Sequence, residues 1–248
     1  MTQTRRVVVL DTPDDLAYQA AVEFQVRARA AIEDHKRFAV ALSGGSTPRA
    51  LYALLTSPQF AEDIDWSRIH FFWGDERCVP PNDPVSNFEE AKKLLLDPLR
   101  IAPENIHAMR GELEPRQGAL DYRDQLTAFF GADTVFDLIY LGLGEDGHTA
   151  SLFPNSTALD VVDETCVAVH APTNPIAHWR LTLTYPVINA AGGVIFLVEG
   201  AGKAEVLGRI LEGPHDARRL PAQGVSPENG SLVWLVDKAA AVNLKSRV

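Results

Sequence analysis

The chain has 248 residues, enough to bury a sizeable core, and α/β architectures of this size commonly form one domain, so a single domain over 1–248 is expected. With 46% hydrophobic and 23% charged residues it has a globular composition, and no apolar run reaches bilayer-spanning length, which excludes a membrane role. The formal net charge of −10, with no lysine or arginine run to offset it, argues against a nucleic-acid partner and leaves room for a locally held anionic small molecule.

In chain order, "RRVVVL" reads as a first strand, and its apolar run ends at Asp11, too short for a secretion signal. Thr12, Pro13 and Asp15 form a helix-start signature, and alanine-rich periodicity carries the helix to about residue 35. "RFAVAL" is a second strand, followed by a helix at "PRALYALLTS". "RIHFFWG" is a third strand, leading into a proline-rich loop, "DERCVPPNDPVSN", long enough to expect a function for it. The helix "FEEAKKLLLDPL" follows, with Ser86 or Asn87 able to cap it. "ENIHAMRG" is a short strand or turn, residues 115–130 a helix, and "FDLIYLGLG" a strand apolar enough to be buried on both faces. Further strands are expected at "TCVAVHAP", "HWRLTLTY", "GGVIFLVEG" and "SLVWLVD", and helices at "PVINAA", "AGKAEVLGRILEG" and "KAAAVNL". The alternation of strand and helix predicts an α/β fold around a parallel sheet with crossover helices. Cys78 and Cys166 lie far apart without CxxC pairing, which suits a reducing, cytoplasmic setting and supplies no thiolate metal site.

Three stretches carry residues suited to chemistry. In "ALSGGSTPRALY" a strand runs through Ser43, Gly44, Gly45, Ser46 and Thr47 into a helix; glycines admit a close ligand and the helix start favours an anion, so the loop reads as a phosphate cradle or as a tight capped turn. In "FFWGDERC" a strand ends on Asp75, Glu76 and Arg77, at the sheet edge where α/β ligands bind; Arg77 then clamps an anion, or the triplet is a solvated charge cluster. In "LGLGEDGHTASLFP" Gly144 and Gly147 flank Asp146, two residues ahead of His148. Imidazole suits general-base chemistry near neutrality, a metal role lacks an HxxxH or HxxEH partner among His107, His170 and His178, and a structural histidine is the alternative. Arg180 and Lys203 are later cations, the second after a glycine turn that follows a strand. Ser43, Ser46 and Ser151 sit near glycines but none lies in GxSxG, which speaks against a serine hydrolase.

Taken in order, "SGGSTP", "FFWGDERCVPPNDPVSN", "FDLIYLGLGEDGHTASLFP", "WRLTLTYPVINAA" and "GAGKAEVL" resemble the 6-phosphogluconolactonases, in the family they share with the glucosamine-6-phosphate deaminases. The likeness spans nearly the whole chain. It implies a Rossmann-like three-layer sandwich, a mostly parallel central sheet flanked by helices, with no dinucleotide and no metal cofactor. It implies hydrolysis of 6-phosphoglucono-δ-lactone to 6-phosphogluconate in the oxidative pentose phosphate pathway. His148 would activate water and Asp146 orient it. The Gly44–Thr47 backbone with Ser43, Arg77, Arg180 and Lys203 would grip phosphate, while Asp75 and Asn87 would hold sugar hydroxyls. The deaminases carry a glutamate five residues after the histidine, where this chain has Phe153, which favours the lactonase over a deaminase or isomerase. A non-catalytic phosphosugar-binding module would need the cations but no Asp146–His148 pair. The partner is then a small phosphosugar lactone, and a cytoplasmic monomer is expected.

Overall fold

A computed structural model describes residues 5–172 and 179–245. The first strand, β1 (Arg5–Leu10), turns through Thr12 into the helix α1 (Pro13–His35). The Thr12 hydroxyl accepts the Asp15 N–H at 3.1 Å, satisfying one of the donors that a helix start leaves open. At the other end Lys36 takes φ 70° and donates to Ile32 O at 3.1 Å. Leu16, Ala17, Ala20, Ala21, Phe24, Ala28 and Ala31 form the buried face of α1. Mostly small, they let a long helix lie close along the sheet, where it touches β1 and three further strands.

The chain continues through β2 (Phe38–Leu42), α2 (Ser46–Leu55), α3 (Pro58–Ala61), β3 (Ile69–Trp73), β4 (Asp75–Arg77), α4 (Asn87–Ala91), α5 (Pro115–Phe130), β5 (Leu138–Leu141), β6 (Cys166–His170), β7 (Trp179–Leu183), α6 (Tyr185–Ala190), β8 (Gly193–Val198), α7 (Ala204–Glu212) and β9 (Ser231–Asp237). Six strands pair in parallel in the order β1-β9-β8-β5-β2-β3. Every residue of β2, β5 and β8 is buried, so helices must cover both faces of this sheet. The mostly parallel, helix-flanked architecture expected from the sequence is therefore present. The core runs from Phe24 and Phe38 through Phe71 and Phe72 to Phe196, which stacks on Trp234 at 3.8 Å.

β4, β7 and β6 form a second, antiparallel sheet that the strand and helix alternation did not anticipate. Asp75 pairs with Thr182, Glu76 with Leu181 and Arg77 with Arg180. Gly74 is the pivot between sheets: its N–H donates to Leu42 O and its carbonyl accepts from Leu183 N, both at 2.9 Å. The stretch expected to be loop from residue 75 thus begins as a strand.

Three helix expectations also change. The helix after β2 starts at Ser46 rather than Pro48. The segment after Ser86 is helical only to Ala91, then widens into a π turn over Lys92–Leu96, with Asp97 N–H donating to Lys92 O. Pro98 lacks an N–H and cannot carry the regular ladder onward. "KAAAVNL" forms only turns: Asp237 accepts the Ala240 N–H at 2.7 Å, and a seven-residue segment is too short to hold a helix by propensity.

Candidate functional site

Along the parallel sheet the strand order reverses between β2 and β5. β3 lies to one side of that boundary; β8 and β9 lie to the other. At such a switch point the loops leaving adjacent strands part in opposite directions and open a crevice at their carboxyl ends. Here β2 delivers Ser43 and Gly44, and β5 delivers Gly142, Leu143 and Gly144, to a cavity of about 240 Å³. Asp75, Arg77, Asn87, His148 and Lys203 complete its chemically active wall.

The His148 loop is a tight turn. Gly147 N–H donates to Gly144 O at 3.1 Å, and Gly144 N–H donates to His148 O at 2.9 Å. Gly147 sits at φ +86°, and a Cβ there would meet Leu220 Cδ2 at 2.7 Å. A Cβ on Gly144 would stand 2.1 Å from His148 Nδ1, so the missing side chain is the space in which the imidazole lies. Asp146 Oδ1 accepts the His148 backbone N–H at 3.1 Å and faces Nδ1 at 2.5 Å. An ionised carboxylate only accepts, so Nδ1 carries a proton, and in the neutral ring Nε2 keeps the free lone pair. Partial burial works against charge on Asp146, yet the hydrogen bonds and positive charge of His148 outweigh it and hold the carboxyl below its usual range. Phe153 packs its ring 4.9 Å from the imidazole centroid.

The basic side of the cavity is built on the antiparallel sheet. Arg77 and Arg180 stand opposite each other in register. Arg77 donates Nη1 to Val85 O, while its Nε is buried without a partner. Arg180 is 5% exposed and its Nη1 is likewise unpartnered. Burial and then the neighbouring Arg77 charge lower the Arg180 pKa, opposed by Asp75, Glu76 and Cys78. A half-buried and a buried guanidinium side by side are costly alone, and an anion held at the cavity wall by Arg77 offsets their charge. The buried Asn87 Oδ1 is a third unpartnered polar atom. Asn87 Nδ2 donates to Asp75 O at 2.8 Å and to Asp75 Oδ1 at 3.3 Å; Asp75 Oδ2 accepts from the Ser151 hydroxyl at 2.6 Å.

Most residues singled out in the sequence meet here, with corrections. Of the glycine and hydroxyl loop only Ser43 and Gly44 line the cavity; Gly45, Ser46 and Thr47 do not, and the Ser46 hydroxyl bonds Glu199 at 3.1 Å instead. Gly45, at φ +113°, stands at the N-cap of α2, a backbone conformation that favours glycine. Arg180 backs Arg77 rather than lining the cavity. Ser86, not Asn87, caps α4, its hydroxyl accepting the Glu89 N–H at 3.2 Å, which frees Asn87 to face Asp75. His107 lies apart, 3.2 Å from His70; His170 packs on Trp179; His178 lies outside the described residues. Sequence reasoning gave Ser151 and Glu76 no part in the site. Ser151 follows His148 by three residues, but only its contact with Asp75 gives it meaning, and Glu76, read only as the middle of a charged triplet at the sheet edge, is 1% exposed. Among the described residues no group of three or more His, Cys, Asp or Glu is arranged to hold a metal, and no helix is long and apolar enough to cross a membrane.

Residues 11–234 match the family described as glucosamine-6-phosphate isomerases/6-phosphogluconolactonase. The chain is 43% identical to the 6-phosphogluconolactonase of Aggregatibacter actinomycetemcomitans, over 82% of this chain and 85% of that protein. It is 40% identical to the 6-phosphogluconolactonase of a Synechocystis strain, over 97% and 98% of the two chains. Among solved structures, 6-phosphogluconolactonase from Trypanosoma cruzi superposes with a TM-score of 0.87 at 27% identity, covering 99% of each chain.

Proposed function

Since the chain belongs to the glucosamine-6-phosphate isomerase/6-phosphogluconolactonase family, we propose that it hydrolyses 6-phosphoglucono-δ-lactone to 6-phosphogluconate, with His148 as general base. It is an enzyme, a lactone (ester) hydrolase of the oxidative pentose phosphate pathway. The observation that supports the mechanism best is one cavity holding two unlike ends: an imidazole whose Nδ1 is spoken for by Asp146, and a basic wall carrying Arg77 and Lys203.

Chemically, Nε2 of neutral His148 takes a proton from water as its oxygen attacks the lactone carbonyl carbon. The resulting imidazolium is stabilised by Asp146. As the tetrahedral intermediate collapses, the bond to the ring oxygen breaks and Nε2–H returns the proton to that oxygen, leaving a hydroxyl and a carboxylic acid that releases its proton to solvent as the carboxylate. A base so placed contributes about 10² to 10⁴ in rate. Arg77 and Lys203 hold the 6-phosphate, with the buried Arg180 adding positive charge from behind Arg77, Ser43 and Gly44 present the β2 loop to it, and Asp75 with Asn87 receives sugar hydroxyls. Local positive charge of this kind captures a dianion despite the acidic chain. Phe153, apolar and against the base, offers no second proton-transfer group of the kind a deaminase would use.

We read the enzyme further as a cytoplasmic monomer, one domain over 1–248, which sedimentation would check. Activity is tested by generating the lactone with glucose-6-phosphate dehydrogenase and following proton release above spontaneous opening. No acceleration would overturn the proposal.

A further inference from the structure

Glu76 lies in a charged triplet, yet its carboxylate is buried and accepts four hydrogen bonds. Oε1 takes the N–H of Arg77 at 2.7 Å and of Asn87 at 2.8 Å; Oε2 takes the N–H of Phe88 at 2.7 Å and the Ser86 hydroxyl at 3.0 Å. The donors come from the two ends of the segment between β4 and α4, so one carboxylate closes that loop at both ends. Inside the loop Arg77 Nη1 donates to Val85 O, and at its far end Asn87 Nδ2 donates to Asp75. These contacts leave Arg77 Nε and Asn87 Oδ1 without partners. Without the anchor, neither Arg77 nor Asn87 has a fixed backbone from which to place its side chain on the cavity wall. Glu76 also supplies negative charge beside Arg180, which pairs with Arg77 in register across β4 and β7.

We infer that Glu76 is a positioning residue for phosphosugar binding, holding Arg77 and Asn87 in ligand-ready geometry without touching the ligand. The inference rests on the lactonase reading for its ligand. Burial opposes charge on this carboxylate and the four donors favour it, the balance leaving its pKa raised. The stabilisation supplied by those donors explains why so buried an acid is kept next to two cations.

The test is Glu76→Gln, which keeps the shape but turns one acceptor oxygen into an NH₂ group facing donors. The expected result is a KM for the lactone and a Kd for 6-phosphogluconate, by calorimetry, both raised about tenfold, as loss of charge-assisted contacts at one remove would give. The kcat should stay within about threefold, because nothing at His148 has moved. In an Arg77→Ala/Asn87→Ala background Glu76→Gln should add little, since its effect passes through those two side chains. Unchanged KM and Kd, with kcat falling in step with the folded fraction, would overturn the inference, as would additive effects in that background. If Glu76→Gln does not fold, Ser86→Ala, which removes one of the four donors together with the α4 cap, must raise the Kd in the same direction; an unchanged Kd there counts against the role equally. Wild-type inactivity on the lactone would instead defeat the proposed reaction, a separate outcome.

Discussion

Gly144→Ala tests whether the catalytic geometry depends on the space above the glycine. An added Cβ would stand 2.1 Å from His148 Nδ1, 2.3 Å from its Cε1 and 2.7 Å from Asp146 Oδ1. Because ordinary contact begins at 3.4 Å, the ring must retreat by about 1.3 Å. The imidazole is 33% exposed, so it can move outward without unfolding the core. A displacement of about 1 Å at a reacting group costs on the order of 10² in rate. We therefore expect kcat to fall by about 10² in the lactone assay while the Kd for 6-phosphogluconate changes by less than about threefold. Gly208→Ala is the matched control, with its nearest atom 3.9 Å from the added Cβ, in the interior of α7. It should keep wild-type kcat and gain about 0.5–1 kcal/mol in stability from the better helix former. A Gly144→Ala enzyme turning over within about threefold of wild type would refute the claim that the glycine makes room for the base.

Further predictions follow from the same geometry. His148→Ala should lower kcat by about 10² or more with little change in product affinity, whereas Arg77→Ala or Lys203→Ala should chiefly raise KM; steady-state kinetics reads the split, and the reverse pattern contradicts the assigned roles. His107, whose pKa is brought down to about 4 by burial and then by His70, makes stability pH-dependent. Its folded value lies below the unfolded one, so this contribution is present above about pH 6.5 and lost as pH falls through 4, with protons taken up on unfolding between them. Denaturation midpoints at pH 7 and pH 4.5 should converge in His107→Gln, and an unchanged difference would rule His107 out as the source.

Local signals carried far in this chain. The Thr12 cap and the alanine face of α1, the fully apolar β5, and helix α5 were readable because each depends on near neighbours in sequence. The Asp146–His148 pair was readable for the same reason, two residues apart on one turn. What could not be read depends on distant partners. β4 is three charged residues long and is a strand only because β7 lies beside it, more than a hundred residues later. That pairing is what buries Glu76 and Arg180 and sets Arg77 against Arg180, so the basic wall was recognised as residues but not as an arrangement. In the hydroxyl loop, a strand, two glycines and a helix start were legible, but not that Ser43 and Gly44 would face the cavity while the Ser46 hydroxyl bonds Glu199.

A crystal structure with bound 6-phosphogluconate tests the central claim most directly. The account predicts the C1 carboxylate within about 3.2 Å of His148 Nε2, or joined to it by one water, with the phosphate against Arg77 and Lys203. A phosphate seated at His148, or a carboxylate beyond reach of that nitrogen with the basic wall empty, would contradict it.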